Sequence, residues 1–281
     1  MPRLHAKHRT EIRYAGPVGE SVNEIRLLPS GNGRQAVEWA TVRTEPPAEL
    51  LAHRDAYGNE VRWFQLTEPH EGLLVESEAV VVTRPAPPRA FDSESGFDDT
   101  TGEDYGERYA EFLAGSPFIR WVEPVASFAD ALELDESFGV LAWARELEAG
   151  VNRAITYRQG ATRVDTPIEE VVRAGPGVCQ DMAHVMIACA RRRGVAARYI
   201  SGWLNLPNHS GPGESHAWAE LAVPGLGGVE FDPTHPEPSS EHYVRLAVGR
   251  DYADVPPLRG SYLGPPTEDM TVTVEVRELP G

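Results

Sequence analysis

The sequence has 281 residues, room for one large domain or two modest ones, and 41% of them are hydrophobic, so a packed core is within reach. No apolar run approaches the roughly 20 residues of a membrane-spanning helix, and the opening MPRLHAKHRTEIRY lacks the apolar stretch of a secretory leader. A formal net charge of −17 argues against a nucleic-acid partner, because phosphate contact needs a basic surface.

The first ninety or so residues read as strands. TEIRYAG (10–16), VNEIRLLP (22–29), AVEWATVRT (36–44), EVRWFQLT (60–67) and LLVESEAVVVTR (73–84) are rich in β-branched and aromatic residues, with Gly, Pro, Asn or Asp between them. Strands with no long helix among them predict an antiparallel β-sandwich-like domain over 1–95. RPAPPRAFDSESGFDDTTGEDYGE (84–107) is Pro-rich, then acidic, and reads as a linker. Helical spacing follows in YGERYAEFLAG, FADALEL and SFGVLAWARELEAGVNRAITY. TPIEEVVRAG starts with Thr-Pro, and a Gly-Pro-Gly turn leads into VCQDMAHVMIACARRRG, a helix expected to run to Arg193. The pattern then returns to strands at 196–204, 214–223, 227–233 and 270–279, with 241–255 mixed. Helices before strands predict an α+β domain over 96–281.

The two cysteines, Cys179 and Cys189, fall in one helix, ten residues and about 15 Å of rise apart, too far to bridge. Free thiols suit a reducing compartment, and a cytoplasmic location is expected. Cys179 stands at the helix start, where backbone N–H groups and the helix dipole favour a thiolate and could hold an oxyanion. Cys189, inside the helix, reads as a packing residue.

A thiolate nucleophile needs an imidazole beside it and a group to orient that imidazole. Of the nine histidines, His216 lies in the strand ESHAWAEL, and alternation puts it on one face with Trp218 and Glu220. VEFDP follows a Pro/Gly turn. If the two segments pair as a hairpin centred near residue 224, His216 lies directly opposite Asp232, within about 5.5 Å between Cβ atoms. Asp181 reads as a helix-start carboxylate, His184 as a packing histidine and His235 as a loop histidine. Arg198 and Tyr199 read as supports of the sheet.

GVCQDMAHVMIACARRRGVAARYISGWL, ESHAWAEL and VEFDPTH together resemble the core of the transglutaminase-like superfamily, through G-x-C-x-D, R-Y-x-S-G, H-A-W-x-E and F-D-P-T. The strand-rich region ahead is similar to the N-terminal module of bacterial members, and HYVRLAVGRDYADVPPLRGSYLG resembles their tail. The resemblance implies a papain-like arrangement, with Cys179 as nucleophile, His216 as general base and Asp232 as orienting carboxylate. It implies acyl transfer from an amide of a peptide, protein or small molecule through a thioester, to water or an amine. The animal crosslinking enzymes depend on calcium. No D-x-[DN]-x-[DN]-G loop is present, so neither metal nor other cofactor is expected. Those enzymes also use a tryptophan as oxyanion donor, and none of Trp39, Trp63, Trp121, Trp143, Trp203 or Trp218 matches it by motif. Substrate choice is expected to depend on the loop LPNHSGPG (206–213).

Two rival readings stand beside this one. A non-catalytic protein-binding module on the same scaffold needs no intact triad. A metal-dependent hydrolase using His209, His216, His235 and His242 has no H-E-x-x-H or paired C-x-x-C to support it. Oligomeric state is not readable from the chain.

Overall fold

The computed structural model describes residues 1–85, 95–205, 214–236, 240–265 and 268–280. The chain opens with β1 (Arg3–Val18), β2 (Glu20–Ile25), β3 (Gln35–Glu45), β4 (Leu51–Arg54), β5 (Glu60–Leu66) and β6 (His70–Thr83). Helices follow: α1 (Glu103–Arg108), α2 (Ala110–Leu113), α3 (Glu123–Ala131) and α4 (Gly139–Ala154). The two-residue strands β7 (Thr156–Tyr157) and β8 (Pro176–Gly177) bracket α5 (Ile168–Ala174) and lead into α6 (Cys179–Arg192). The rest is strand: β9 (Ala197–Leu204), β10 (Glu214–Val223), β11 (Gly227–Phe231), β12 (Tyr243–Gly249), β13 (Leu258–Leu263) and β14 (Glu268–Glu278).

Three four-stranded sheets result, in the orders β14-β1-β6-β3, β13-β2-β5-β4 and β11-β10-β9-β12, with every pairing in them antiparallel. The first two form the N-terminal β-rich module. The third, with α3 to α6, forms the α+β core, and the expected fold class is the observed one. The expected division at residue 95 differs from the pairing at the C-terminus. β14 lies along β1, from Leu4 opposite Glu278 to Arg13 opposite Asp269, and β13 lies along β2. Residues 258–278, assigned to the second domain, thus extend the two N-terminal sheets and cover edges that would otherwise be open.

Other departures have local causes. Part of the expected linker, 86–94, lies outside the described residues. The part after it folds as a turn at Phe97–Thr100 and as α1, and the Phe97 ring packs edge-on against Trp143 at 5.4 Å between centroids. β4 is exposed along its whole length, so it shows no alternation to read. β13 follows Pro256-Pro257 and contains Gly260, both poor strand signals.

α6 is the central helix. Every residue from Asp181 to Arg191 is buried, as in a helix enclosed on all sides. Ala217, Ala219, Leu221 and Val223 of β10 share its core with α4 and α5, while Trp218 packs with Ile200, Leu204, Tyr243 and Val248 in a separate cluster. Gly202 makes room for that tryptophan. A Cβ at 202 would fall within the van der Waals radii of the Trp218 ring and the Val244 carbonyl oxygen, so no larger residue fits. At the far end of α6, buried Arg191 donates to the carbonyls of Ala114 (2.8 Å), Ala197 (2.8 and 3.1 Å) and Arg250 (2.6 Å).

The module and the core share one interface. Trp203, Val244 and Leu246 of the core sheet join the apolar cluster of β1, β5 and β6. β12 is an edge strand of the core sheet, and two side-chain amides from the module complete it. Gln35 exchanges two hydrogen bonds with the backbone of Arg245 (2.8 and 2.9 Å), and Asn59 does the same with Val248 (both 2.8 Å). Each amide acts as a short extra strand, satisfying a donor and an acceptor that burial would otherwise leave unpaired.

Candidate active site

The site begins at the Gly-Pro-Gly turn. Gly175 ends α5 at φ +89°, a left-handed conformation that glycine adopts without strain. Thr156 and Arg158 donate to the carbonyls of Gly175 and Gly177, both at 2.9 Å, which fixes the turn against β7. Asp181 then reaches back over the helix start. Its Oδ2 accepts from the Val178 N–H at 2.8 Å and from the Thr162 hydroxyl at 2.5 Å. The first backbone bond of α6 runs from Met182 N to Val178 O at 3.1 Å, so the N–H groups of Cys179 and Gln180 have no acceptor within the helix. Burial raises the pKa of Asp181, and its two donors oppose that shift. Asp181 thus works as the expected helix-start carboxylate, shaping the loop that presents Cys179.

Cys179 is half-buried and Cys189 is buried, both as free thiols. Desolvation pushes the Cys189 thiol up to about 12, in keeping with packing inside the helix.

His216 and Asp232 are both buried, and His216 Nε2 lies 2.7 Å from Asp232 Oδ2. The pairing register differs from the expected one. β10 and β11 pair with Ala219 opposite Phe231, a hairpin centred at 225 rather than 224. Continued by one residue, that register sets Asp232 against Trp218, two residues along from His216, so the two side chains meet diagonally. A slip of two residues keeps the face, because side chains alternate with a period of two.

The Cys179 sulfur also acts on His216, adding to the effect of Asp232 in raising its pKa. With Nε2 turned to Asp232, Nδ1 is the ring atom left for the sulfur. Burial works to lower the His216 pKa, but the Asp232 carboxylate and the Cys179 sulfur outweigh it and raise the value to about 10. Burial likewise works to raise Asp232, yet the imidazolium charge and the hydrogen bonds from His216 and Tyr243 bring it below the ordinary carboxylate range. The favoured state is a buried imidazolium between a carboxylate and a sulfur.

Several residues that sequence reasoning missed hold this line in place. The Tyr243 hydroxyl donates to Asp232 Oδ2 at 2.6 Å, and the Thr234 N–H donates to Oδ1 at 2.9 Å. The Asp232 N–H donates to Glu148 Oε1 at 2.6 Å, and Asn152 Nδ2 donates to the Pro233 carbonyl at 2.8 Å. Glu148 carried a readable signal, since an acidic residue on the buried stripe Leu141, Ala144, Leu147, Val151 of α4 calls for a partner. Tyr243 carried none, as it lay in a segment of mixed pattern.

The remaining candidates separate clearly. His235 stands beside the site, its ring 5.5 Å from that of His216. His184 stacks on Phe118 at 5.2 Å, and its Nε2 accepts from the Tyr252 N–H at 3.2 Å; desolvation drives its pKa down to about 3. Trp203 donates its indole N–H to His8 at 3.1 Å, and Trp218 lies nearly parallel to His216 at 6.1 Å. Arg198 pairs with Glu220 at 2.6 Å, supporting the sheet as expected. The loop 206–213 lies outside the described residues, as does His209 within it.

The core thus brings a histidine in a strand and an aspartate at a strand end together, with a cysteine at a helix start acting on the histidine, and comparison with known proteins identifies the fold that does so. Residues 132–233 match the model of the transglutaminase-like superfamily, and residues 4–82 match that of the bacterial transglutaminase-like N-terminal region. An uncharacterized protein of Mycobacterium tuberculosis is 32% identical, over 99% of this chain and 93% of its own length. One from Mycobacterium leprae is 30% identical, over 99% and 100%. A solved structure of a candidate cysteine protease from Cytophaga hutchinsonii superposes with a TM-score of 0.76 at 19% identity, covering 100% of this chain and 91% of that one. The chain belongs to the transglutaminase-like superfamily.

Proposed function

We propose that the protein is a thiol-dependent enzyme that cleaves amide bonds of peptides, proteins or small amides through a thioester on Cys179, with His216 and Asp232 completing the triad. The observation that carries this reading is a buried imidazole hydrogen-bonded to a buried carboxylate and held in its charged form with the help of a half-buried sulfur. The sulfur is the member that substrate can reach, while its two partners are shielded from water.

The cycle follows from that order. The Cys179 thiolate attacks the amide carbonyl, and the N–H of Cys179 at the head of α6 binds the oxyanion. The His216 imidazolium gives its proton to the departing amine or ammonia as the C–N bond breaks, leaving a thioester. Neutral His216 then takes a proton from water or an incoming amine, which attacks the thioester and frees the thiolate. Asp232 holds the imidazole throughout. Water as acceptor gives hydrolysis and an amine gives acyl transfer. Two free thiols support a reducing location such as the cytoplasm.

The test is to incubate the protein with a library of peptide and small-molecule amides, quench in acid and search for an acyl adduct by mass spectrometry. The expected result is a thioester mapped to Cys179 and absent from Cys179→Ala. Turnover that survives in Cys179→Ala removes Cys179 from the mechanism.

A further inference from the structure

Asp232 Oδ2 accepts from two donors at once, His216 Nε2 at 2.7 Å and the Tyr243 hydroxyl at 2.6 Å. The other oxygen is held by the Thr234 N–H at 2.9 Å, and the backbone of Asp232 is tied to Glu148. Tyr243 itself is buried, with its ring edge-on to Trp218 at 5.1 Å and 6.1 Å from that of His216. It is the first residue of β12, and it reaches Asp232 from the opposite edge of the core sheet.

We infer that Tyr243 is a positioning residue of the active site, whose hydroxyl fixes the Asp232 carboxylate and divides its charge between phenol and imidazole. This rests on the triad reading above. A carboxylate oxygen that serves one donor is free to pivot about the Cβ–Cγ bond. With Thr234 on one oxygen and Tyr243 on the other, only the orientation facing His216 remains. The division of charge has its own effect. A proton donated from the phenol weakens Oδ2 as an acceptor for imidazolium. This tempers the pull on the His216 proton, which must leave for the departing amine in each cycle. Burial and the nearby carboxylate push the Tyr243 pKa well above its ordinary value, so the phenol stays a donor across the working range. The titratable groups facing Asp232 are His216 from β10, Tyr243 from β12, Glu148 from α4 and His235 from the loop that follows. His216, His235 and Tyr243 favour its charge.

The test uses the full chain with Tyr243→Phe, which keeps the ring and removes the hydroxyl. A second variant carries 3-fluorotyrosine at 243, a stronger phenol donor of almost the same shape. Titration of ¹⁵N-labelled histidine by NMR reads the His216 pKa directly and needs no substrate. The expected result is a rise in the His216 pKa in Tyr243→Phe and a fall in the fluorotyrosine protein. On an amide substrate found by thioester trapping, kcat of Tyr243→Phe falls about tenfold with KM unchanged. If Tyr243→Phe fails to fold, the fluorotyrosine shift decides alone. Titration identical to wild type in the folded variants overturns the inference. Opposite shifts in a protein that cleaves no amide uphold the inference for the Asp232–His216 pair and reject the enzymatic reading instead.

Discussion

In the proposed cycle, the charge on His216 sets the chemistry. An imidazole this deeply buried would normally give up its proton, since desolvation disfavours the cation. Asp232 and the Cys179 sulfur reverse that and raise its pKa to about 10. The imidazolium therefore persists through neutral pH, and the rate should decline as pH rises toward that value. Asp232→Asn keeps an acceptor for His216 but removes the charge, so the His216 pKa falls. The alkaline limb of the pH–rate profile should move to lower pH, with kcat/KM reduced about 10²- to 10⁴-fold. An alkaline limb that stays in place would separate Asp232 from the titration of His216. Cys179, His216 and Asp232 were each legible because each sits at a local landmark: a Gly-Pro-Gly helix entry, a strand with aromatic and acidic neighbours, and a strand end before proline. Tyr243, Glu148 and Asn152 act across the fold, on partners 11, 84 and 81 residues away, and no local pattern encodes those contacts.

At the scale of elements, the core sheet depends on how its edge is closed. β12 turns its outer backbone toward the N-terminal module, where the Gln35 and Asn59 amides pair with Arg245 and Val248. Both amides are buried, so truncating either strands a backbone N–H and C=O away from water. Gln35→Ala and Asn59→Ala should each lower unfolding stability by about 1–3 kcal/mol, measured by urea titration. Because β12 begins at Tyr243, the double variant should also weaken binding of the Asp232 carboxylate and lower activity. Stability equal to wild type in both single variants would show that the edge is satisfied in another way. Most of the long strands and α4, α5 and α6 were predictable from alternation, helical spacing and end signals, while β1 begins at Arg3, well ahead of the expected 10–16. β4 was not, because an exposed edge strand has no buried face to alternate. The hairpin register missed by two residues, because the length of the turn at 224–226 decides it and the hydrophobic pattern fits both choices.

For the whole molecule, the last strands return to the first, and the two modules share a buried interface that includes a titratable histidine. His8 of β1 accepts from Trp203 of β9 at 3.1 Å, and burial pushes its pKa down to about 4. An unfolded histidine binds a proton near pH 6.5, while this one refuses it until about pH 4. The unfolded state therefore holds more protons across that window, and stability falls as pH drops through it. The effect is on the order of 3 kcal/mol for a shift of this size. His184, buried and held near 3, adds to the loss in the same direction. His8→Asn keeps an acceptor for Trp203 and cannot titrate, so its urea midpoint should decline less between pH 6.5 and 4. An unchanged decline would place the acid sensitivity elsewhere. Nothing in the sequence near His8 foretold this, since its partner is 195 residues away. The same long-range closure brings the head of α6, the start of β10 and the end of β11 to one point, and the account depends on that convergence. The most direct measurement is the rate of iodoacetamide alkylation at Cys179 near pH 6, read by mass spectrometry with Cys189 as internal control. The account predicts that Cys179 reacts far faster than Cys189, and that His216→Ala slows it at least tenfold while leaving the fold intact. Equal rates at Cys179 in the wild-type and His216→Ala proteins would contradict it.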